Sequence, residues 1–122
     1  MDSKFTLHEH YRKRQHSSHW DIRIQSLNKK FAYSFALPKK KLPIKGEKFL
    51  AIRTPDHHIG SLKMEGDLEN GDTMTIVDTG NCDIVSIKDS FIDIILNGRK
   101  IKGHYIFVKV LGNENDWLVI GK

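Results

Sequence analysis

Phe91-Ile92-Asp93-Ile94-Ile95-Leu96, running into Asn97-Gly98, is the stretch that decides the fold class. Branched and aromatic residues fit extended backbone, and Asn-Gly is the strongest short hairpin signal because both residues tolerate positive φ. The run predicts a strand that turns at 97–98 towards a second strand, Tyr105 to Val110. Gly112-Asn113-Glu114-Asn115 then turns the chain into Trp117 to Ile120. Upstream, Thr73 to Val77 is expected to turn at Asp78-Thr79-Gly80-Asn81 into Cys82 to Ile87. Further back lie Lys48 to Arg53, Phe31 to Leu37 (ended by Pro38), a strand beginning at His19, and Phe5 to His10. About eight short strands with turn residues between them predict an all-β fold, a small closed or nearly closed antiparallel barrel, with a sandwich as the alternative. No window carries a helical period of useful length, and residues 1–122 are expected to form a single domain.

Composition narrows the function classes. A chain of 122 residues buries roughly two-thirds of its unfolded surface. Twenty Lys and Arg against fifteen Asp and Glu give a formal charge of +5, which favours an anionic partner, most simply nucleic acid. Cys82 is alone, which excludes an internal disulfide and a cysteine zinc cluster, and no activated Cys, Ser or Thr nucleophile is recognisable. No apolar run approaches the roughly 20 residues a bilayer-spanning helix needs, and the first residues form no signal segment. The expectation is a soluble monomer without membrane contact, cytoplasmic or nucleoid-associated.

The chemistry concentrates in His19-Trp20-Asp21-Ile22-Arg23-Ile24. Side chains of a strand alternate between faces, so Trp20, Ile22 and Ile24 point to the core while His19, Asp21 and Arg23 share the other face. Upstream, Thr6, His8 and His10 fall together on one face of the first strand. Two imidazoles and a carboxylate hold a divalent ion with coordination positions to spare. An arginine beside them repels the ion but clamps an anion bound to it, through paired N–H donors. By spacing, either His10 or His16 can join His19 and Asp21.

Phe5-Thr6-Leu7-His8-Glu9-His10 followed by His19-Trp20-Asp21-Ile22-Arg23-Ile24 resembles the opening of the phosphoesterase domain of bacterial DNA ligase D, which carries an H-[YW]-D-x-R-[LI] strand. The likeness continues in Ser34-Phe35-Ala36-Leu37-Pro38-Lys39, similar to S-W-A-x-P-K, then in Asp56-His57, Met64-Glu65-Gly66 and Asp78-Thr79-Gly80. It reaches Leu96-Asn97-Gly98-Arg99 and Trp117-Leu118-Val119-Ile120. The resemblance implies a manganese-dependent enzyme acting on DNA or RNA–DNA primer–template 3′ ends. Such an enzyme removes a terminal ribonucleoside and a 3′-phosphate during DNA repair, alongside a separate ligase or polymerase. It implies His10, His19 and Asp21 as metal ligands, and Arg23 and His57 as the catalytic pair that holds and activates the phosphate.

The chain also departs from that pattern. Its His10–His19 loop is longer, Pro55 and His58 replace Glu and Pro around Asp56-His57, and a tyrosine is replaced near Ser61. Phe49 stands where a basic residue is expected, the glycine-rich turn after Gly71 is missing, and four residues precede Phe5 in place of an N-terminal extension. These changes keep a second reading open, a non-catalytic barrel that binds DNA 3′ ends. A cupin-like metal enzyme, raised by His8-Glu9-His10, lacks the glycine and downstream histidine spacing. His8 is expected at the surface or behind the ligands, Trp20 and Trp117 in the core, and Cys82 as a small buried hydrophobe. Arg12-Lys13-Arg14 forms a basic loop beside the site.

Overall fold

A computed structural model describes all of residues 1–122. The strands are β1 (Asp2–Arg12), β2 (Ser17–Gln25), β3 (Phe31–Leu37), β4 (Lys48–His58), β5 (Gly66–Asp67), β6 (Thr73–Lys88), β7 (Phe91–Gly98), β8 (Lys102–Lys109) and β9 (Asp116–Gly121). A single 3₁₀ turn, Ile59–Lys63, follows β4. All neighbours pair antiparallel in the order β1-β2-β3-β4-β9-β8-β7-β6, and β6 pairs back onto β1 to close an eight-stranded barrel. The two-residue β5 is the extra strand, paired outside β6. The barrel expectation holds. No helix is long and apolar enough to cross a membrane.

The period-2 pattern fills the interior. Phe5 and Leu7 of β1, Ile22 and Ile24 of β2, and Phe35 and Leu37 of β3 are at most 1 % exposed and belong to a core of 16 residues. Burying each such side chain contributes about 1.5–3 kcal/mol, so the interior carries the fold and the outer face is free for chemistry. Trp117 is buried against Phe35, and Trp20 packs on the same core. Cys82 lies in it too, and burial pushes its thiol up to about 12, which leaves it inert.

Two turns fall elsewhere than the local sequence indicates. Asp78-Thr79-Gly80-Asn81 is no turn: β6 runs unbroken through it, paired with β1 from Thr73 to Asp83 and with β7 from Gly80 onward. The β7–β8 turn sits not at Asn97-Gly98 but two residues later, over Arg99 and Lys100, closed by Gly98 N–H donating to the Ile101 carbonyl at 2.8 Å. Gly98 is needed for approach and not for positive φ, because a Cβ there would collide with the Asp78 carboxylate. That carboxylate accepts from the backbone N–H groups of Thr79, Arg99, Lys100 and Ile101 at 2.7–3.1 Å, tying the turn to β6.

Candidate active site

Register on the outer face sets the site. His10 faces His19, His8 faces Asp21 and Thr6 faces Arg23 across β1–β2, while Arg23 faces Ser34 and Ser34 faces Thr54 across β3 and β4. Cross-strand partners share a face, so these side chains form one polar patch outside the barrel. The 3₁₀ turn lies over it, held by Thr6 Oγ1 donating to the Leu62 carbonyl at 2.8 Å. His58 caps this turn, its Nδ1 accepting from Gly60 N–H at 3.0 Å, and so serves the backbone.

His57 reaches the patch through a bulge. Ala32 pairs with His57 but Ser34 pairs with Thr54, so β4 carries one residue more than β3 between these rungs. Pro55, which has no N–H to donate, sits in that irregularity. The extra residue reverses the parity of β4 and puts His57, in place of Asp56, on the face of Ala32. Burial, then repulsion by Arg23, lowers the pKa of His57, against the opposing pull of Asp21 and Asp56. Asp56 turns away to pair with Arg53 at 2.8 Å.

His10, His19 and Asp21 bring one ligand atom each to within 4.8 Å of one another. His19 Nε2 is 3.0 Å from Asp21 Oδ1, and His10 Nδ1 is 3.4 Å from Asp21 Oδ2. The long loop places His16 at the exposed hairpin tip with φ 49°, outside the cluster. Burial alone would raise the Asp21 carboxyl, but the hydrogen bond and charge of His19, with Arg23 and His10, hold it below the usual range.

Two further residues complete the patch: Asp72, which the sequence does not mark, and His8, which it places at the surface or behind the ligands. Asp72, 8 % exposed, places Oδ2 at 2.9 Å from His10 Nε2. A carboxylate accepts, so Nε2 of His10 donates to Asp72, while Nδ1, the other ring nitrogen, faces Asp21. Nδ1 of His10 and Oδ2 of Asp21, 3.4 Å apart, are close enough to ligate one cation together. The donor set, two imidazole nitrogens and a carboxylate, therefore fits a divalent ion. His8, fully buried, is the second. Its Nε2 is 2.7 Å from the Met64 carbonyl and must donate to it, which leaves Nδ1 to accept from Arg23 Nη1 at 3.4 Å. Burial, the main cause, lowers the pKa of His8 and keeps it neutral beside the guanidinium. No local signal could have found Asp72, which lies 62 residues from its partner in a stretch that reads as a turn.

Arg23 is 6 % exposed, with Nη2 3.9 Å from Asp21 Oδ2, and its Nε has no partner. Ser34, Thr54 and Ser61 each hold a buried hydroxyl that is likewise unspent. Arg23 and Ser34 face each other across β2–β3, and the 3₁₀ turn that carries Ser61 packs on the same two strands. Such a set of donors next to an arginine suits an oxygen-rich anion. A larger hollow of about 590 Å³, lined by Lys4, Gln25, Lys29 and Lys63 among others, has neither histidine nor carboxylate in its lining.

Residues 8–109 match the family model described as the DNA ligase D 3′-phosphoesterase domain. No curated protein matches the chain.

Proposed function

The chain belongs to the DNA ligase D 3′-phosphoesterase domain family, and from that premise we propose that it is a metal-dependent phosphoesterase that removes 3′-phosphates from DNA ends. The observation that carries this reading is the meeting of His10, His19 and Asp21 beside the buried Arg23. His10 Nδ1, His19 Nε2 and Asp21 would hold the ion, with manganese preferred because imidazole suits it better than magnesium. When bound, the ion supplies Lewis-acid polarisation of the phosphoryl group. Arg23 binds the phosphoryl oxygens and stabilises the charge that grows on them. His57, whose pKa is lowered on the same face, exchanges a proton with the attacking water or the leaving oxygen.

Phosphate release asks for little beyond these groups. Removing a terminal ribonucleoside also requires a seat for the sugar and its 2′-hydroxyl. The tyrosine of the family pattern is replaced near Ser61, which removes one candidate contact to the sugar. The expected result is robust 3′-phosphatase activity with slower nucleoside removal. The test is a time course on paired primer–templates, one ending in 3′-phosphate and one in a ribonucleotide, with manganese and after chelation. Conversion of the ribonucleotide primer alone would reverse the order. Full activity in excess EDTA would remove the metal from the reading, and inactivity on both with tight binding would favour an end-binding barrel.

A further inference from the structure

Next to His10, the tip of the β1–β2 hairpin and the 70–72 turn enclose a cleft of about 330 Å³ lined by Arg12, Arg14, Gln15, Asn70 and Asp72, with no hydrophobic residue in its wall. We infer that this cleft binds a backbone phosphate of the nucleic-acid strand whose 3′ end lies at His10, His19 and Asp21. The inference rests on the phosphoesterase reading for the direction of the strand, and on the cleft itself for the ligand.

Four observations carry it. Both guanidinium groups are available: Arg14 has no ion-pair partner, while Arg12 makes one 3.5 Å contact with Ser17 Oγ and leaves its Nε buried and unspent. The one carboxylate in the wall does not compete for them. Asp72 Oδ1 accepts from Lys13 N–H at 3.0 Å, and Oδ2 from His10 at 2.9 Å and Asn70 Nδ2 at 3.2 Å. The cleft is also held in shape. Lys13 N–H ties the hairpin tip to Asp72, and Gly71, at φ +90°, lets the turn close on the Lys13 side chain, which a Cβ would meet at 2.9 Å. Finally, the location fits. Asp72 belongs to the cleft wall and to the His10 contact at once, so the cleft adjoins the cluster through that carboxylate. Arginine forks suit phosphate oxygens, and Gln15 adds a neutral donor. The extended His10–His19 loop, which lengthens the hairpin tip, is what builds this wall.

The experiment measures binding of a 3′-phosphorylated primer–template in EDTA, where turnover cannot interfere, as a function of salt. Arg12→Ala/Arg14→Ala is expected to weaken binding tenfold or more and to lower the salt slope by about one to two, as lost phosphate contacts do. Arg99→Ala, on the β7–β8 turn, serves as the control and leaves both values in place. With manganese, the double variant loses far more efficiency on the duplex than on thymidine 3′-phosphate, which is too short to reach the cleft. Unchanged affinity and slope would overturn the inference, and so would equal losses on the two substrates. Arg14 is exposed, so Arg14→Gln keeps the test decisive if the double variant fails to fold. Should the wild-type protein hydrolyse neither substrate, the phosphoesterase reading fails, and the salt-dependent binding decides on the cleft alone.

Discussion

Asp72 Oδ2 lies 2.9 Å from His10 Nε2, while the other ring nitrogen of His10 faces Asp21 Oδ2 at 3.4 Å. One carboxylate thus accepts from Nε2 of His10 and turns its other ring nitrogen towards a second carboxylate. Asp72 is well placed for this, since burial costs it less than its hydrogen bonds gain. The bond from His10 comes first, then the Lys13 N–H, and together they hold its carboxyl below the usual range.

Asp72→Asn should therefore weaken metal binding more than it disturbs the fold. The amide cannot hold the His10 tautomer as firmly, and removing such partners costs about 10–100-fold in metal affinity. Manganese titration followed by electron paramagnetic resonance reads this directly, with circular dichroism as the check on folding. An affinity equal to wild type would show that Asp72 serves only the turn.

His8→Ala should impair turnover although His8 lies behind Arg23. The substitution removes the acceptor of Arg23 Nη1 and leaves the Met64 carbonyl without its donor. A positioning role predicts a fall in kcat with a smaller change in KM, and partial rescue by His8→Gln, whose amide both donates and accepts. A folded His8→Ala with unchanged kcat would show that His8 does not position Arg23.

Arg23→Lys should be severely impaired, by about a hundredfold or more in kcat/KM, as seen when a transition-state donor is lost. An ammonium keeps the charge but not the fork that matches two phosphoryl oxygens. Steady-state kinetics on the 3′-phosphorylated primer measures it, and near wild-type turnover would reduce Arg23 to a counter-charge for Asp21.

Acid stability should depend on Asp78. Burial alone would raise its carboxyl, but the backbone donors of Ile101, Lys100, Thr79 and Arg99 hold it below the usual range. Its folded pKa is thus below the unfolded value of about 3.9, so its stabilisation is complete above pH 4 or so and is lost as pH falls towards the folded pKa. Asp78→Ala should cost about 2–3 kcal/mol at neutral pH, since a charged acceptor of several bonds disappears. Asp78→Asn should be less stable at pH 7 and show a flatter decline into acid. Urea titrations at pH 7, 5 and 3 test this, and parallel acid profiles would show that other groups control the slope.

Much of the site was legible in β1 and β2. Alternation is a local property, so it put Phe5, Leu7, Ile22 and Ile24 inside the barrel and His8, His10, His19, Asp21 and Arg23 outside it. Turn chemistry was less informative where pairing partners are distant. Gly80 and Gly98 read as turn residues, yet each sits in a strand, Gly98 because the Asp78 carboxylate approaches it.

By itself, the sequence determined the all-β class, the inward and outward sets on β1, β2 and β3, and the motif that marks the family. Periodicity and residue type are carried by neighbours along the chain. Only the tertiary structure decided that His10 and not His16 joins the cluster, that a bulge at Pro55 brings His57 to the outer face, and that Asp72 and His8 anchor His10 and Arg23. Each of these is a matter of register or of a hydrogen bond between distant segments. A shift of one residue reverses a strand's faces, and nothing local to His57 or Asp72 records it.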